Sequence, residues 1–444
     1  MDLIYNIKDK PRFGQVVLFA IQQLLAIMAA TIAVPAVINN ACGTEMTASA
    51  ALFGAGVGSV VYLLFTKSSS PVFLGSSFAF IGPMLSAFAG AVSMQAGYAG
   101  LILGAAMAGV VYVLLAIIVK IWGVAWINKL MPPVVIGPTV AIIGLSLAGN
   151  AVGDLNSGGA TGSPLIGLVC GLIALGVTML VSTYGKKMLQ LIPFIIGILA
   201  GYLAATVFYL IGNASGMDSL LVIDYSAFQN CGIFAVPDFT FLKAAAGWKE
   251  IDGTYILTLV TAYVPVAFVV FAEHLADHKN LSAIIGVDLL EKPGLTRTLL
   301  GDGIGSAVGA LFGGCPNTTY GESIACVAIT RNASTVSIWG AAFLCIIISF
   351  VSPLMAFLQT IPACVMGGVC VALYGFISVS GFKMLQGVDL NTNQNLFTAS
   401  VIFITGVGGM TVSFGAVTIR TVACALILGI LVNTMLSRKA KGAE

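Results

Sequence analysis

Six side chains in the stretch from Phe271 to Arg331 could do chemistry: the carboxylates Glu273, Asp277, Asp302 and Glu322, and the imidazoles His274 and His278, the chain's two histidines. They lie inside or beside apolar runs. An ionisable group in an apolar spanning segment is costly to keep, so each is a functional-site candidate. Glu273 and Asp277 stand four residues apart and share a helix face. His278 follows Asp277, about 100° round the helix, so it cannot replace it on that face. Buried carboxyl groups can accept hydrogen bonds from a polar solute and can take up a proton. No nucleophile–base pair or metal-ligand cluster accompanies them, which argues against an enzyme.

The rest of the chain is built to hold such groups out of water. It has 444 residues, of which 59% are hydrophobic and 8% charged, against roughly 25% charged in a soluble domain. Too little polar surface remains to face water, so this is an integral, all-α polytopic membrane protein. The net charge of +2 gives no reason to expect nucleic acid as a partner. The nine cysteines include no C-x-x-C pair and read as small buried hydrophobes; no metal or cofactor is expected. The charged N-terminus flows into a long apolar run without a small-residue cleavage site, so it reads as an uncleaved first helix.

A spanning helix needs about 20 apolar residues, which gives about fourteen segments. Their expected centres are Leu25, Val57, Ile81, Ala108, Val140, Leu172 and Leu199, then Val264, Ala307, Ile324, Ile347, Val369, Ile402 and Leu426. A polar stretch, 213–252, separates a first half (1–212) from a second (253–444). With both termini cytoplasmic, all the basic residues except Lys243, Lys249 and Arg420 fall on the inner side, Lys187 and Lys441 among them. The run Gly381–Asn395 reads as a solvated inner loop, and His278 with Lys279 as an interfacial pair.

Weak internal symmetry runs between the halves. Met131-Pro132-Pro133-Val134-Val135-Ile136-Gly137 opens segment 5 and Ile361-Pro362-Ala363-Cys364-Val365-Met366-Gly367 opens segment 12. Gly54 and Gly58 in segment 2 answer Gly301, Gly305, Gly309 and Gly313 in segment 9, a spacing that lets helices approach closely. Seven segments per repeat is an odd number, so the halves are inverted, with a site expected at their interface near mid-membrane. Segments 3 (PVFLGSSFAFIGPM) and 10 (CPNTTYGES) are interrupted by Pro and Gly. Each is expected to be extended first and helical afterwards, around a polar cavity. Half-helices beginning near Ser77 and Tyr320 would aim free N–H groups and a positive dipole end at a ligand.

The motifs GSSFAFIGP (Gly75–Pro83), FAEH (Phe271–His274), PNTTYGE (Pro316–Glu322) and AITR (Ala328–Arg331), in this order, resemble the nucleobase–ascorbate transporter family, on its uracil-transporting branch. The resemblance covers nearly the whole chain. It implies fourteen helices in a 7+7 inverted repeat. A core domain would comprise segments 1–4 and 8–11, and a gate domain segments 5–7 and 12–14. It also implies proton symport across the plasma membrane, and homodimers joined through the gate domains. It implies a uracil site made of Glu273, Glu322, the backbone at Phe78 and Gly321, and the ring of Tyr320. The chemistry agrees: two carboxyl groups can accept from the base's N–H groups, half-helix N–H groups can donate to its carbonyls, and aromatic faces can hold its ring.

For proton coupling Glu273 is the first candidate, with Glu322 in the same site, Asp277 one turn on and Asp302 either a relay member or a core contact. Asp277 stands where some members of the branch carry His, and Gln23 likewise. Glu322-Ser323-Ile324-Ala325 has Ser and Ala where the wider family has Asn and Gly. The alternatives are a purine base such as xanthine as substrate, or an anion channel or exchanger on the same scaffold.

Overall fold

The computed structural model describes residues 3–123, 125–159, 162–186, 189–190, 192–229, 231–414 and 417–440; Lys187 and Lys441 lie outside them. The fourteen expected segments are all present. In the first half they are Phe13–Cys42 (segment 1), Ala48–Phe65 (2), Leu74–Ser76 with Phe78–Ala89 (3), Met94–Trp122 (4), Pro133–Leu155 (5), Pro164–Tyr184 (6) and Pro193–Ser215 (7). In the second they are Gly253–Ile285 (8), Leu295–Gly313 (9), Asn317–Thr319 with Gly321–Thr330 (10), Thr335–Ile348 (11), Ala363–Met384 (12), Asn393–Val407 (13) and Thr421–Ala440 (14). Segments 1, 2, 4–8 and 12 are each long and apolar enough to cross a membrane. The starts are set locally. Thr47, Ser93 and Asp252 cap segments 2, 4 and 8 by accepting from Ala50, Ala96 and Tyr255 N–H. Proline opens segments 5, 6 and 7, where its missing N–H costs nothing.

Three expectations need correction. Segment 11 ends at Ile348, so Ile347 is its end and not its centre. The apolar run continues through a turn into a separate helix, Ser352–Thr360, as segment 4 is followed by the short helix Ala125–Leu130. Segment 12 extends to Met384, so Gly381 is not in a solvated loop: it is buried, and a Cβ on it would lie 2.5 Å from the Gly137 carbonyl oxygen of segment 5. His278 is buried at 0% exposure, away from any interface, whereas Lys279 is exposed.

The interrupted segments are extended first and helical afterwards, as expected, and their extended parts meet. Leu74–Ser76 (β1) and Asn317–Thr319 (β2) pair antiparallel, with Gly75 opposite Thr318. Ser77 N–H extends the ladder to the Pro316 carbonyl at 2.9 Å. This pairing satisfies backbone that lipid could not. Gly75 is required there, because a Cβ would sit 2.5 Å from the Tyr320 ring. The glycine stripes of segments 2 and 9 serve the same junction. Asn317 is wedged between them, its Nδ2 donating to the Gly54 carbonyl at 3.0 Å, and side chains at Gly58 or Gly309 would collide with it.

Two helix groups result. Segments 1–4 pack among segments 8–11, and segments 5–7 among segments 12–14. Contact between the groups is thinner. It includes two side-chain hydrogen bonds: Asn40 Nδ2 to Asp154 Oδ1 at 3.1 Å, and Arg420 Nε to Ser86 Oγ at 2.7 Å. Both lie at the end opposite the face that carries Lys67, Lys120 and Lys383, called the basic face below.

Candidate functional site

The cavity between the groups is built on the two broken segments. The helical part of segment 3 starts at Phe78 after Ser77, and that of segment 10 starts at Gly321 after Tyr320. Both blunt ends point into the same space, so the first-turn N–H groups are available to a solute. Phe78, Glu273, Tyr320, Gly321 and Glu322, the five residues named for binding, line one small cavity of about 50 Å³. Ile143 of segment 5 and Leu373 and Ile377 of segment 12 close it from the other helix group. The Phe78 ring meets Tyr374 edge-on at 5.6 Å. Tyr320 is pinned across the broken segments by donating its hydroxyl to the Ser76 carbonyl at 2.6 Å.

A second cavity of about 350 Å³ shares Glu273, Gly321, Glu322, Leu373 and Ile377 with the first and runs on to Ser182, Gln190 and Met384, toward the basic face. Asp277 lines it, with Oδ2 accepting from Thr319 Oγ1 at 2.7 Å, which ties the carboxylate to β2. At the opposite end a third cavity, about 250 Å³, holds Asn40, Asp154, Met366 and Cys370. One stripe of segment 12 therefore lines all three in turn: Met366 and Cys370, then Leu373 and Ile377, then Ser380 and Met384.

Asp302 is the exception among the named acids. It is 1% exposed and lines none of these cavities. It sits behind segment 8, 2.7 Å from His274 Nδ1. His274 Nε2 lies 3.0 Å from Thr298 Oγ1, and its ring stacks on His278 at 4.0 Å. His278 is held by the His274 carbonyl and by Tyr62 Oη, at 2.8 and 2.7 Å. Ser323, where the wider family has Asn, uses its hydroxyl to accept from Phe73 N–H at 3.1 Å, and its carbonyl accepts from Gln23 Nε2 at 3.2 Å. It thus braces the site without lining it. Ile143, Leu373 and Ile377 were not foreseen. Segments 5 and 12 are apolar on every side, so nothing in their patterning distinguishes the face that closes the cavity.

Two broken half-helices facing a closing helix group across a cavity with half-buried acids, in a 7+7 inverted repeat, define a multi-pass membrane transport protein. The chain belongs to the permease family, whose model matches residues 14–414. It is 37% identical over 444 residues to the uracil permease of Bacillus caldolyticus, covering 99% of this chain and 96% of that one. To the uracil permease of Escherichia coli K12 it is 37% identical over 430 residues, covering 96% and 92%. Its fold matches a solved structure of the murine Solute Carrier 26 family member A9 anion transporter in the inward-facing state. The TM-score is 0.66 at 13% identity, over 98% of this chain and 69% of that one.

Proposed function

We propose that this chain is a proton-coupled symporter that imports uracil across the plasma membrane by alternating access. The observation that carries the reading is the meeting of Glu273 and Glu322 with two half-helix starts in one cavity. Uracil offers two N–H donors and two carbonyl acceptors. The carboxyl groups accept from the former, and the N–H groups at Phe78 and Gly321 donate to the latter. The rings of Phe78 and Tyr320 flank the base. The names of the curated relatives favour the same substrate. Two acids facing the helix starts oppose an anion as cargo, since they would repel it.

In this reading segments 1–4 and 8–11 form a core that carries the site, and segments 5–7 and 12–14 form a gate that also joins two copies within the lipid. The basic face is cytoplasmic, and with it both termini. Glu273 takes up the coupled proton, supported by Glu322, Asp277 and the buried Asp302. The cavity that reaches the basic face is the inward exit. Accumulation of labelled uracil in proteoliposomes, with and without an imposed pH gradient, tests the function. Accumulation that ignores the gradient refutes the coupling. Competition by xanthine but not by 5-fluorouracil refutes the substrate and favours a purine.

A further inference from the structure

A cavity remote from the uracil site lies on the basic face, about 550 Å³ in volume. Its walls come from three places: the N-terminal arm, the turn after segment 2, and the link between segments 8 and 9. Each wall brings cations: Lys8 from the arm, Lys67 from the turn, and Lys292 from the link with Arg297 from the first turn of segment 9 that follows it. None of the four has an ion-pair partner among the described residues. The one acid in the lining among the described residues, Asp9, already accepts from the backbone and side-chain nitrogens of Asn6 through Oδ2. Ile7, Ile285 and Val287 give the cavity an apolar side.

The walls are fixed in place. The arm is stitched to the link between segments 10 and 11: Ile4 N–H donates to the Arg331 carbonyl at 2.8 Å, Ala333 N–H to the Tyr5 carbonyl at 2.9 Å and Ser334 Oγ to the Asp9 carbonyl at 2.6 Å. The turn is held by Ser68 N–H on the Leu63 carbonyl at 2.8 Å and by Trp339 Nε1 on Ser68 Oγ at 2.9 Å. An excess of cations on one membrane face is general. Their convergence from three walls on one cavity, without carboxylate partners and beside apolar surface, is not accounted for by that bias. Such a place suits an anion with several oxygens and an attached body, because a lone phosphate would leave most of the volume empty.

We propose that this cavity binds a phosphate ester, either the headgroup of an anionic phospholipid or a soluble organic phosphate. The site belongs to the core group, so its occupant rides with that group and not with the closing helices.

Thermal unfolding of the purified full-length protein in detergent, titrated with dioleoylphosphatidylglycerol, dioleoylphosphatidylcholine or glycerol 3-phosphate, tests it. Saturable stabilisation by phosphatidylglycerol but not phosphatidylcholine assigns the lipid. Saturable stabilisation by glycerol 3-phosphate assigns the soluble ester. Lys67→Gln/Arg297→Gln should weaken the stabilising ligand about thirtyfold, two cations each contributing about a fivefold share. Lys8→Gln/Lys292→Gln provides a second variant should the first fail to fold. No saturable effect from any phosphate, or unchanged affinity in a folded variant, overturns the proposal. Uracil binding by the same preparations is a separate readout, so failure of the transport reading leaves this test intact.

Discussion

Two hydrogen bonds that cross between helix groups, Asn40 to Asp154 and Arg420 to Ser86, lie at the end that, in the proposed cycle, must part for uracil to enter from outside. Each involves a charged group. Hydrogen bonds of that kind contribute about 1.5–3 kcal/mol when shielded; the part-buried Arg420 bond sits at the lower end, and the exposed Asn40 bond below it at about 0.5 kcal/mol. Arg420→Gln should therefore favour the outward-open arrangement by about tenfold, and Arg420→Gln with Asn40→Ala by about thirtyfold if the two act independently. Cys370 reports the change. It is 2% exposed and lines the cavity just beyond the site on that side. In a background with Cys42→Ser and Cys231→Ser, the rate of Cys370 labelling by a membrane-impermeant maleimide in intact cells should rise by those factors. Saturating uracil should slow it again. Labelling that stays at the parental rate while uptake falls would refute the reading that these bonds hold the outer side shut.

Four further outcomes are expected. Glu322→Ala should abolish uracil binding by equilibrium titration, because one of two acceptors at the helix starts is lost; parental affinity would remove it from the site. Glu273→Gln should leave measurable binding but eliminate gradient-driven accumulation in proteoliposomes, and persisting accumulation would move the proton elsewhere. Asp277→Asn removes the titratable carboxyl while leaving an amide oxygen able to accept from Thr319 Oγ1, and should displace the pH at which uptake is half-maximal; an unaltered curve would exclude it from coupling. Gly309→Ala puts a methyl group 2.1 Å from Asn317 Nδ2 and should cost about 1–3 kcal/mol of stability, read as a lowered midpoint of thermal unfolding in detergent.

Much of this was legible in the sequence, for identifiable reasons. Pro and Gly inside otherwise apolar runs announced the breaks at Ser77 and Tyr320, because unpaired backbone has few lawful places in lipid. The buried acids stood out against a chain nearly free of charge. What stayed hidden depended on partners distant along the chain. Asp302 looked equally suited to the cavity or the core until His274, twenty-eight residues earlier, was seen to hold it. His278 looked interfacial beside Lys279, yet Tyr62 from segment 2 claims its ring. The helix Ser352–Thr360 was concealed because apolarity continues through the turn that precedes it. The cover over the cavity, Ile143, Leu373 and Ile377, is chemically indistinguishable from residues that face lipid.

The stripe along segment 12 has a consequence for how resistance would arise. On the proposed route a base crossing the membrane meets Met366, Cys370, Leu373, Ile377, Ser380 and Met384 in succession, and none of them is an acid that the proposed cycle needs. Cells selected on a toxic fluorinated pyrimidine while still dependent on scavenged uracil would accumulate lesions at this alternating four- and three-residue spacing. Selection without that dependence would strike Glu273 and Glu322 instead.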